Sequence, residues 1–457
     1  MTRLKKNHFV FMTAIASGSI LNPLNSSMIA LALHSIQHSY ALDFATVSWL
    51  VSGFYLVSAV GQPATGKLGD LIGRKKLFLG GLIIAGIASF FAPLAPFFVV
   101  LLLMRLLQAA GSSAIYPSGV ALVNNHVNKK KQASALAVLA ISASVMTAFG
   151  PTVGGFLIIW GGWQSIFYVN FPFILLSLLL GFWVIPADPK KSPTTNHGSF
   201  VHQLDLVGIA LFTLSIVCVL WFLLELEVQQ HWIVLAVGVV AAIALIRYEY
   251  STDTPFIDVR LIGSNHQLSL IYLLFIFLNI ANYCLFYGMP SFFQSGLHWS
   301  VRASGTMMLF MSLASVVASL LSGRWIDRSG TSGPIRVGAL LTCLGSIWML
   351  LIIAHLSVPG MGIFLLLMGA GYGISNVSLQ ATMLHLTPSE RIGTGSGLFQ
   401  TCRYIGSIAA SAILGILFQK TIAVGELTSL MRTVCLVSVL ALTLSVLYFS
   451  RKTLKAN

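Results

Sequence analysis

The chain contains 457 residues, of which 56% are hydrophobic and only 8% are charged, whereas soluble domains carry roughly 25% charged residues. This composition excludes an ordinary soluble protein and indicates an integral membrane protein. The formal net charge is +14, but we expect no nucleic-acid partner, because the apolar stretches leave no soluble basic domain that could hold a duplex.

Fourteen apolar stretches follow one another along the chain. Each has about 20 residues, enough to cross a hydrocarbon core of roughly 30 Å. Each is also continuously apolar, which favours helices over membrane-spanning strands. The predicted spans cover residues 8–33, 45–66, 77–95, 97–123, 132–158, 165–186, 206–226, 231–247, 268–292, 303–323, 335–355, 360–384, 391–418 and 427–449.

The order of these spans predicts an all-α integral membrane protein of the six-plus-two-plus-six kind, in which two extra helices are inserted between two six-helix bundles. The predicted parts are an N-terminal six-helix bundle (1–186), a cytoplasmic loop (187–205), an inserted helix pair (206–247), a second cytoplasmic loop (248–267), a C-terminal six-helix bundle (268–449) and a cytoplasmic tail (450–457).

Lysine and arginine residues collect in alternate loops and at both ends of the chain, as in the run from Lys129 to Lys131. Such cations are enriched on the cytoplasmic side of membrane proteins. We therefore expect a multi-pass protein of the cell membrane with both termini in the cytoplasm.

The segment GKLGDLIGRKK, from Gly66 to Lys76, places cations and one acid between two apolar runs, so this turn is expected at a membrane surface. A degraded copy begins at Gly323, and its Asp327 lies 257 positions beyond Asp70 (327 − 70), which indicates two related halves. Asp70 and Arg74 are one helical turn apart and can pair. We call this turn the gating turn, after the role that a resemblance to a known family implies, and its residues are Gly66, Gly69, Asp70, Gly73 and Arg74, with Asp327 from the second copy.

Charged residues inside the spans are costly and are functional candidates by default. The candidates are Arg105, Glu225 and Arg403. Two arginines against one peripheral acid motivate the hypothesis that the substrates are neutral or anionic. Arg105 cannot lose its proton at physiological pH, so it either biases a neighbouring group or is a fixed structural cation bonded to carbonyls.

Polar residues near the middle of the spans predict the lining of a substrate cavity. Aromatic rings and sparse hydrogen-bonding groups in an apolar cleft suit amphiphilic organic molecules, although each residue could instead satisfy a helix–helix hydrogen bond. The predicted lining residues are Asn22, Asn25, Tyr55, Gln62, Gln108, Tyr116, Asn279, Asn282, Tyr283, Asn376 and Gln380. No cluster has the spacing of metal ligands, and we expect neither a metal nor a cofactor.

Five motifs carry a resemblance to a known family. They are the gating turn, RLLQAAGSSAIYP from Arg105 to Pro117, GPTVGGFL from Gly150 to Leu157, GWQSIFYVNFP from Gly162 to Pro172 and GTGSGLFQTCRYIG from Gly393 to Gly406. In these motifs the sequence resembles the major facilitator superfamily, specifically its fourteen-span drug:proton antiporter branch. Ala109 stands where that family usually has a glycine.

The resemblance implies roles for several of these residues. It makes the gating turn a latch that holds the outward-facing state, and it gives Arg105 a part in proton coupling. It also implies an antiporter motif that closes the cavity and limits leak, formed by Gly150, Pro151, Gly154 and Gly155. The same small residues would let helices pack closely in lipid, and both readings stay open.

The sequence departs from the family in the first span, where Asn25 occupies the position of the usual acid. An amide cannot titrate, so the usual site at which protons and cations compete is missing. We still expect a monomeric secondary transporter that exports lipophilic drug-like compounds by alternating access in exchange for protons. The alternative is an exporter of one endogenous metabolite or lipid-like molecule, with or without proton coupling. An enzyme is not expected, because no acid, base and nucleophile converge at an interface.

Overall fold

The structure, a computed structural model, describes residues 8–42, 44–188, 204–225, 231–252, 255–257, 259–388, 391–418 and 424–449. These ranges contain helices and connecting turns but no strand. Within them, nine helices are long and apolar enough to cross a membrane by length and composition alone. The all-helical membrane fold expected from the sequence is confirmed.

The helices of the first half are α1 (His8–Ser19), α2 (Leu21–Tyr40), α3 (Phe44–Ile72), α4 (Arg74–Phe91), α5 (Phe98–His126), α6 (Gln132–Gly161), α7 (Ser165–Tyr168) and α8 (Asn170–Val184). The middle section contains α9 (Leu206–Glu225), α10 (Trp232–Ser251) and the short α11 (Val259–Ser264). The second half contains α12 (His266–Ser291), α13 (Val301–Ser329), α14 (Ser332–Ile352), α15 (Val358–Leu386), α16 (Ile392–Leu417) and α17 (Val424–Phe449).

Each predicted span coincides with one helix or with two consecutive ones. The first span is divided at Ile20, three residues before Pro23. A proline has no backbone N–H, so Pro23 leaves the carbonyl of Ser19 without its usual helical donor. The sixth span is similarly divided at Val169, between α7 and α8.

Two helices extend well beyond the apolar windows that predicted them. Helix α3 continues to Ile72, and α13 continues to Ser329, whereas the predicted spans end at residues 66 and 323. Hydropathy detects only the part of a helix that suits lipid, so it misses the last turns, which contain glycines and charged residues. These extra turns carry Asp70 and Asp327, the acids of the gating turn and of its second copy.

The two halves meet along a symmetric pair of interfaces. Helix α3 packs against α16, and α6 packs against α13. Helices α3 and α13 are the second spans of their halves, and α6 and α16 are the fifth spans. Each interface therefore pairs the second span of one half with the fifth span of the other. This arrangement is expected for a transporter built from repeated halves. Helices α9 and α10 pack together, and α9 also contacts α3 and α16.

The backbones of α3 and α16 touch directly. A Cβ atom on Gly66 would lie 2.2 Å from the carbonyl oxygen of Gly393, and one on Gly397 would lie 2.3 Å from that of Gln62. We call Gly66, Gly393 and Gly397 the glycine seam. The seam lies on the side of the membrane that holds the turn around Gly73, which we call the gating side.

Candidate functional site

Asp70 joins the first half to the second on the gating side. Its Oδ1 accepts hydrogen bonds from Arg74 Nη2 at 3.0 Å and from Arg74 Nε at 3.3 Å. Its Oδ2 accepts from the backbone N–H of Thr394 at 3.4 Å. Thr394 lies in the first turn of α16, where backbone N–H groups lack helical partners and the helix dipole favours an anion. Asp70 therefore links the end of α3 to the beginning of α16.

The pKa of the Asp70 carboxyl is shifted towards neutrality. Burial raises the pKa to about 6, although the Arg74 guanidinium and the backbone N–H groups of Thr394 and Gly393 act in the opposite direction. Asp70 lies at the membrane surface, beyond the predicted span that ends at residue 66. Its protonation state can therefore change near physiological pH.

Asp327 makes the corresponding link from the second half. Its Oδ2 accepts from the backbone N–H of Ser134 at 3.2 Å and also from the Ser134 hydroxyl. Ser134 lies in the first turn of α6, so an acid at the end of α13 caps a helix of the first half. We call Asp70 with Thr394, and Asp327 with Ser134, the two acid latches. Their mirrored arrangement agrees with the repeat that the sequence indicates.

Each latch is followed by a glycine with a left-handed backbone. Gly73 has φ +109° and Gly330 has φ +80°, and each lies three residues after its acid. Glycine adopts such angles without steric cost. Gly73 is also confined by Asp188, whose carboxylate accepts from the backbone N–H groups of Lys75 at 3.0 Å and Lys76 at 3.1 Å. Gly69 is less confined, since a Cβ there would lie 3.2 Å from the flexible end of Leu77.

Arg105 is bonded through each of its three guanidinium nitrogens inside the first half. Its guanidinium donates to the backbone oxygens of Leu50 at 3.3 Å and Asn25 at 2.9 Å, and to Gln108 Oε1 at 2.5 Å. It also lies over the ring of Phe54, 4.2 Å from the ring centre. Such acceptors suit a structural cation bonded to carbonyls, and the part of Arg105 in proton coupling stays a prediction.

Asn25 and Gln108 belong to the same buried network. The Gln108 amide donates to Asn25 Oδ1 at 3.2 Å and to Ser89 Oγ at 2.7 Å. Asn170, in the GWQSIFYVNFP motif, donates to Asn25 Oδ1 at 2.9 Å. The predicted cavity residues Asn25 and Gln108 are thus placed within the first bundle, where they hold α2, α5 and α8 together.

A cavity of about 70 Å³ lies between the halves. Four of its lining residues were predicted from the sequence, namely Tyr116, Asn282, Tyr283 and Asn376. Arg403 also lines it and is the only charged residue of the lining. The remaining lining residues are Ala143, Phe286, Met311, Ser312, Ser315, Tyr372, Phe399 and Gln400.

The other predicted cavity residues surround this space or connect the halves. Gln380 donates to the Tyr116 hydroxyl at 2.8 Å. Gln62 donates to the Tyr404 hydroxyl at 2.9 Å, and that hydroxyl donates to Asn22 Oδ1 at 3.1 Å. These bonds cross from one half to the other near the cavity.

Two predicted lining residues make different contacts. The ring of Tyr55 lies 5.8 Å from that of Tyr404, across the interface between the halves. Asn279 is buried and donates to the Phe275 carbonyl of its own helix at 2.7 Å. Its Oδ1 has no hydrogen-bond partner among the described residues. Neither residue lines the cavity of about 70 Å³.

The predicted antiporter motif packs α6 against α2. A Cβ on Gly150 would lie 1.9 Å from Ser27 Oγ, and one on Gly154 would lie 3.1 Å from Met28 Cγ. Gly155 has no neighbour within 4 Å of such an atom among the described residues. The side chain of Pro151 lies outside the part that the structure describes. These contacts are those of a close helix-packing face.

Glu225 is the last residue of α9, and its side chain lies outside the described residues, so its role in coupling stays a prediction.

Sequence reasoning missed a buried charged cluster at the other end of the inserted pair, where Lys67, Asp205 and Glu249 are 8%, 4% and 0% exposed. The sequence did contain a signal for this cluster. Lys67 lies within the segment from Gly66 to Lys76, and the two acids lie near the ends of the inserted helices.

These three side chains hold one short segment, Pro255 to Ile257. Lys67 Nζ donates to the Pro255 carbonyl at 2.8 Å. Asp205 Oδ2 accepts from the backbone N–H of Phe256 at 2.8 Å, and Glu249 Oε1 accepts from that of Ile257 at 3.2 Å. We call this arrangement the linker clamp. It fastens the chain that follows α10 to α3, one turn from the Asp70 latch.

Two related helical halves, a cavity between them and paired latches on one side define a membrane transporter of the repeat-built kind. The chain matches the description "Major Facilitator Superfamily" over residues 15–411. It belongs to that superfamily, and its family and fold are those of transporters rather than enzymes.

Known proteins of this kind resemble it over nearly its whole length. It is 56% identical over 418 residues, or 92% of each chain, to the uncharacterized MFS-type transporter YwoD of Bacillus subtilis (strain 168). It is 27% identical to the multidrug resistance protein Stp of Mycobacterium tuberculosis (strain CDC 1551 / Oshkosh), over 90% of this chain and 76% of that protein. The fold is shared with the human organic anion transporter MFSD10 (TETRAN), with a TM-score of 0.70, 16% identity and coverage of 96% and 99% of the two chains.

Proposed function

We propose that the protein exports amphiphilic, drug-like organic compounds by alternating access, in exchange for protons, as a fourteen-span antiporter of its superfamily. The observation that carries the proposal is the pair of acid latches. Each half contributes one acid, and each acid caps a helix of the other half. Both latches must release for the gating side to open.

The cavity supports an organic substrate. Its lining combines the rings of Tyr283, Phe286 and Phe399 with amide and hydroxyl groups, which suits molecules that have an apolar body and a few polar groups. The similarity to the multidrug resistance protein Stp agrees with such a substrate. Cavities that hold drug-sized ligands usually measure about 300–1,000 Å³, so the cavity of about 70 Å³ has to widen when the halves move.

Asp70 supports proton exchange. Burial in the closed latch raises the pKa of its carboxyl to about 6, whereas a hydrated aspartate has a pKa of about 3.9. Closing the gating side therefore favours proton binding, and opening it favours proton release. Neither Asn25 nor Arg105 can take this role, because neither titrates in the physiological range.

The distribution of lysine and arginine supports an orientation in which the gating side faces the cytoplasm, with both termini on that side. We propose that the protein acts there as a monomer in the cell membrane. In this orientation the closed latches correspond to the outward-facing state.

The proposal is tested by dye accumulation in cells that express the protein. We expect lower accumulation of at least one compound from a panel of anionic, neutral and cationic fluorescent amphiphiles, and we expect an uncoupler of the proton gradient to abolish the difference. Asp327→Ala should lose most of this efflux, because it removes one latch. Arg328→Ala, which changes the exposed neighbouring residue, should retain it.

Equal accumulation of every compound with and without the protein would contradict export. Efflux that persists at full rate in the presence of the uncoupler would contradict the exchange for protons.

A further inference from the structure

Arg105 and Arg403, the two arginines that the sequence singles out as functional candidates, differ in one decisive respect. Arg105 donates to three protein acceptors, which are Leu50, Asn25 and Gln108. Arg403 makes no hydrogen bond or ion pair with any other residue that the structure describes, and its guanidinium carbon lies 5.7 Å from the centre of the Tyr404 ring. Arg105 is satisfied by the protein itself, whereas the donors of Arg403 remain available in the cavity.

The surroundings of Arg403 supply donors rather than a counter-ion. The phenolic groups of Tyr116, Tyr283 and Tyr372 lie within electrostatic reach of the guanidinium, and all three residues line the cavity. The Tyr116 oxygen already accepts from Gln380 at 2.8 Å, which leaves the Tyr116 proton to donate. No aspartate or glutamate is among the lining residues.

Amide groups extend this donor set. Asn282 and Asn376 line the cavity, and neither makes a side-chain hydrogen bond to another residue of the described part of the chain. An arginine inside a membrane protein is costly unless it is paired. A guanidinium carries its donors in a planar fork that matches the two oxygens of a carboxylate, sulfonate or phosphate. The cavity thus offers a cation and several neutral donors but lacks an acidic group of its own.

We infer that Arg403 is the counter-charge for the substrate, and that the exported compounds are amphiphilic anions whose oxyanion head group binds in the cavity against this guanidinium. The aromatic lining contacts the apolar body of the same molecule. The cavity of about 70 Å³ is larger than the roughly 10–15 Å³ that one water molecule needs, so it has room for a small polar group. This inference rests on the proposed export function and names its substrate class.

The inference is tested with dansylglycine, an anionic amphiphile, and dansylglycinamide, its neutral counterpart, bound to the purified full-length protein in lipid nanodiscs. Dansyl fluorescence reports binding, and the two probes share the same apolar body but differ in the head group, where a carboxylate oxygen is replaced by an amide NH2 and the negative charge is removed. We expect the wild type to bind dansylglycine at least tenfold more tightly than the amide. Arg403→Gln should bind the two probes about equally, and Arg403→Lys should retain part of the preference, because it keeps the charge but loses the fork.

Two further variants separate this role from folding. Arg324→Gln removes an exposed arginine of α13 and should keep the tenfold preference. Asn376→Asp keeps Arg403 and the shape of the side chain but places a carboxylate in the cavity, and it should abolish the preference by occupying the guanidinium. A wild type that shows no saturable binding of dansylglycine, or that binds the amide equally well, overturns the inference. A preference that survives in Arg403→Gln also overturns it.

Failure of the inference can be distinguished from failure of the proposed function. Export of only cationic or neutral amphiphiles in the cell assay would leave export standing and would exclude an anion site at Arg403. Binding of dansylglycine that depends on Arg403, without any export from cells, would support the anion site and contradict the proposed function.

Discussion

Gly66 offers the sharpest perturbation of the gating side. A Cβ at this position would lie 2.2 Å from the carbonyl oxygen and 2.5 Å from the carbonyl carbon of Gly393, and 2.8 Å from the nitrogen of Thr394. All three atoms belong to the backbone, so no side chain can move away. An ordinary contact needs roughly 3.5 Å, and Gly66→Ala must therefore separate α3 and α16 by about 1.3 Å when the gating side is closed.

This displacement weakens the closed state in two ways. Overpacking at a tight contact costs about 1–3 kcal/mol, and the hydrogen bond from Thr394 to Asp70, already 3.4 Å long, is lost. The higher helix propensity of alanine acts equally on the open and closed states, because α3 is helical in both. We expect the ratio of closed to open molecules to fall roughly 5-fold to 150-fold, since each 1.4 kcal/mol is a factor of ten.

The shift is measured as the distance between spin labels at Lys76 and Arg328, two exposed positions on the gating side of opposite halves. The labels are placed in a background without the five native cysteines. Gly66→Ala should add a population at longer distance. Gly80→Ala is the matched control, because a Cβ on Gly80 meets nothing within 4 Å in the described structure. Wild-type distances in Gly66→Ala would refute the glycine seam as a requirement for closure.

Two further predictions follow from the ionised groups of the gating side. Because burial raises the pKa of Asp70 to about 6 in the closed latch, the closed state gains stability as pH falls through about 6 and loses this gain as pH rises. Lowering the pH from 7 to 5 should increase the closed-to-open ratio about tenfold by the linkage relation, and in Asp70→Asn the same spin-label distances should show no such change. Lys67→Ala should destabilise the protein by about 1–3 kcal/mol, because the Pro255 carbonyl loses a charged donor inside the linker clamp. The unfolding temperature in detergent measures this loss. Lys76→Ala changes an exposed lysine and is the control, because it should unfold at the wild-type temperature. Equal unfolding temperatures of the two variants would argue against the clamp.

The sequence allowed the helical fold and the superfamily to be predicted, and both are confirmed. Long apolar runs are sufficient for the first, because a membrane-spanning chain has to satisfy its backbone internally. The pairing of Asp70 with Arg74 could also be predicted, because it is local, and the position of Asp327 follows from the repeat. The partners of these acids could not be predicted from the sequence, because Thr394 is 324 residues away from Asp70 and Ser134 is 193 residues away from Asp327.

The roles of the polar residues at mid-span could not be predicted from the sequence. In a packed membrane bundle nearly every helix face touches another helix, so a polar side chain can point into a cavity or bond a neighbouring helix with the same local sequence. Asn25 is placed in a closed network, whereas Asn376 lines the cavity. Arg105 and Arg403 look alike in the sequence for the same reason. Only the surrounding helices distinguish an arginine bonded by carbonyls from one that faces the cavity.

Proton-coupled export is tested most directly by proton movement in proteoliposomes that contain the purified protein and a pH-sensitive dye, under an imposed pH gradient. The added substrate is the compound that cells export most strongly. We expect this compound to accumulate against its own gradient while protons move in the opposite direction, and we expect both fluxes to be lost in Asp327→Ala. Accumulation of the compound without proton movement would contradict antiport, and equal fluxes in Asp327→Ala would contradict the latches as its gate.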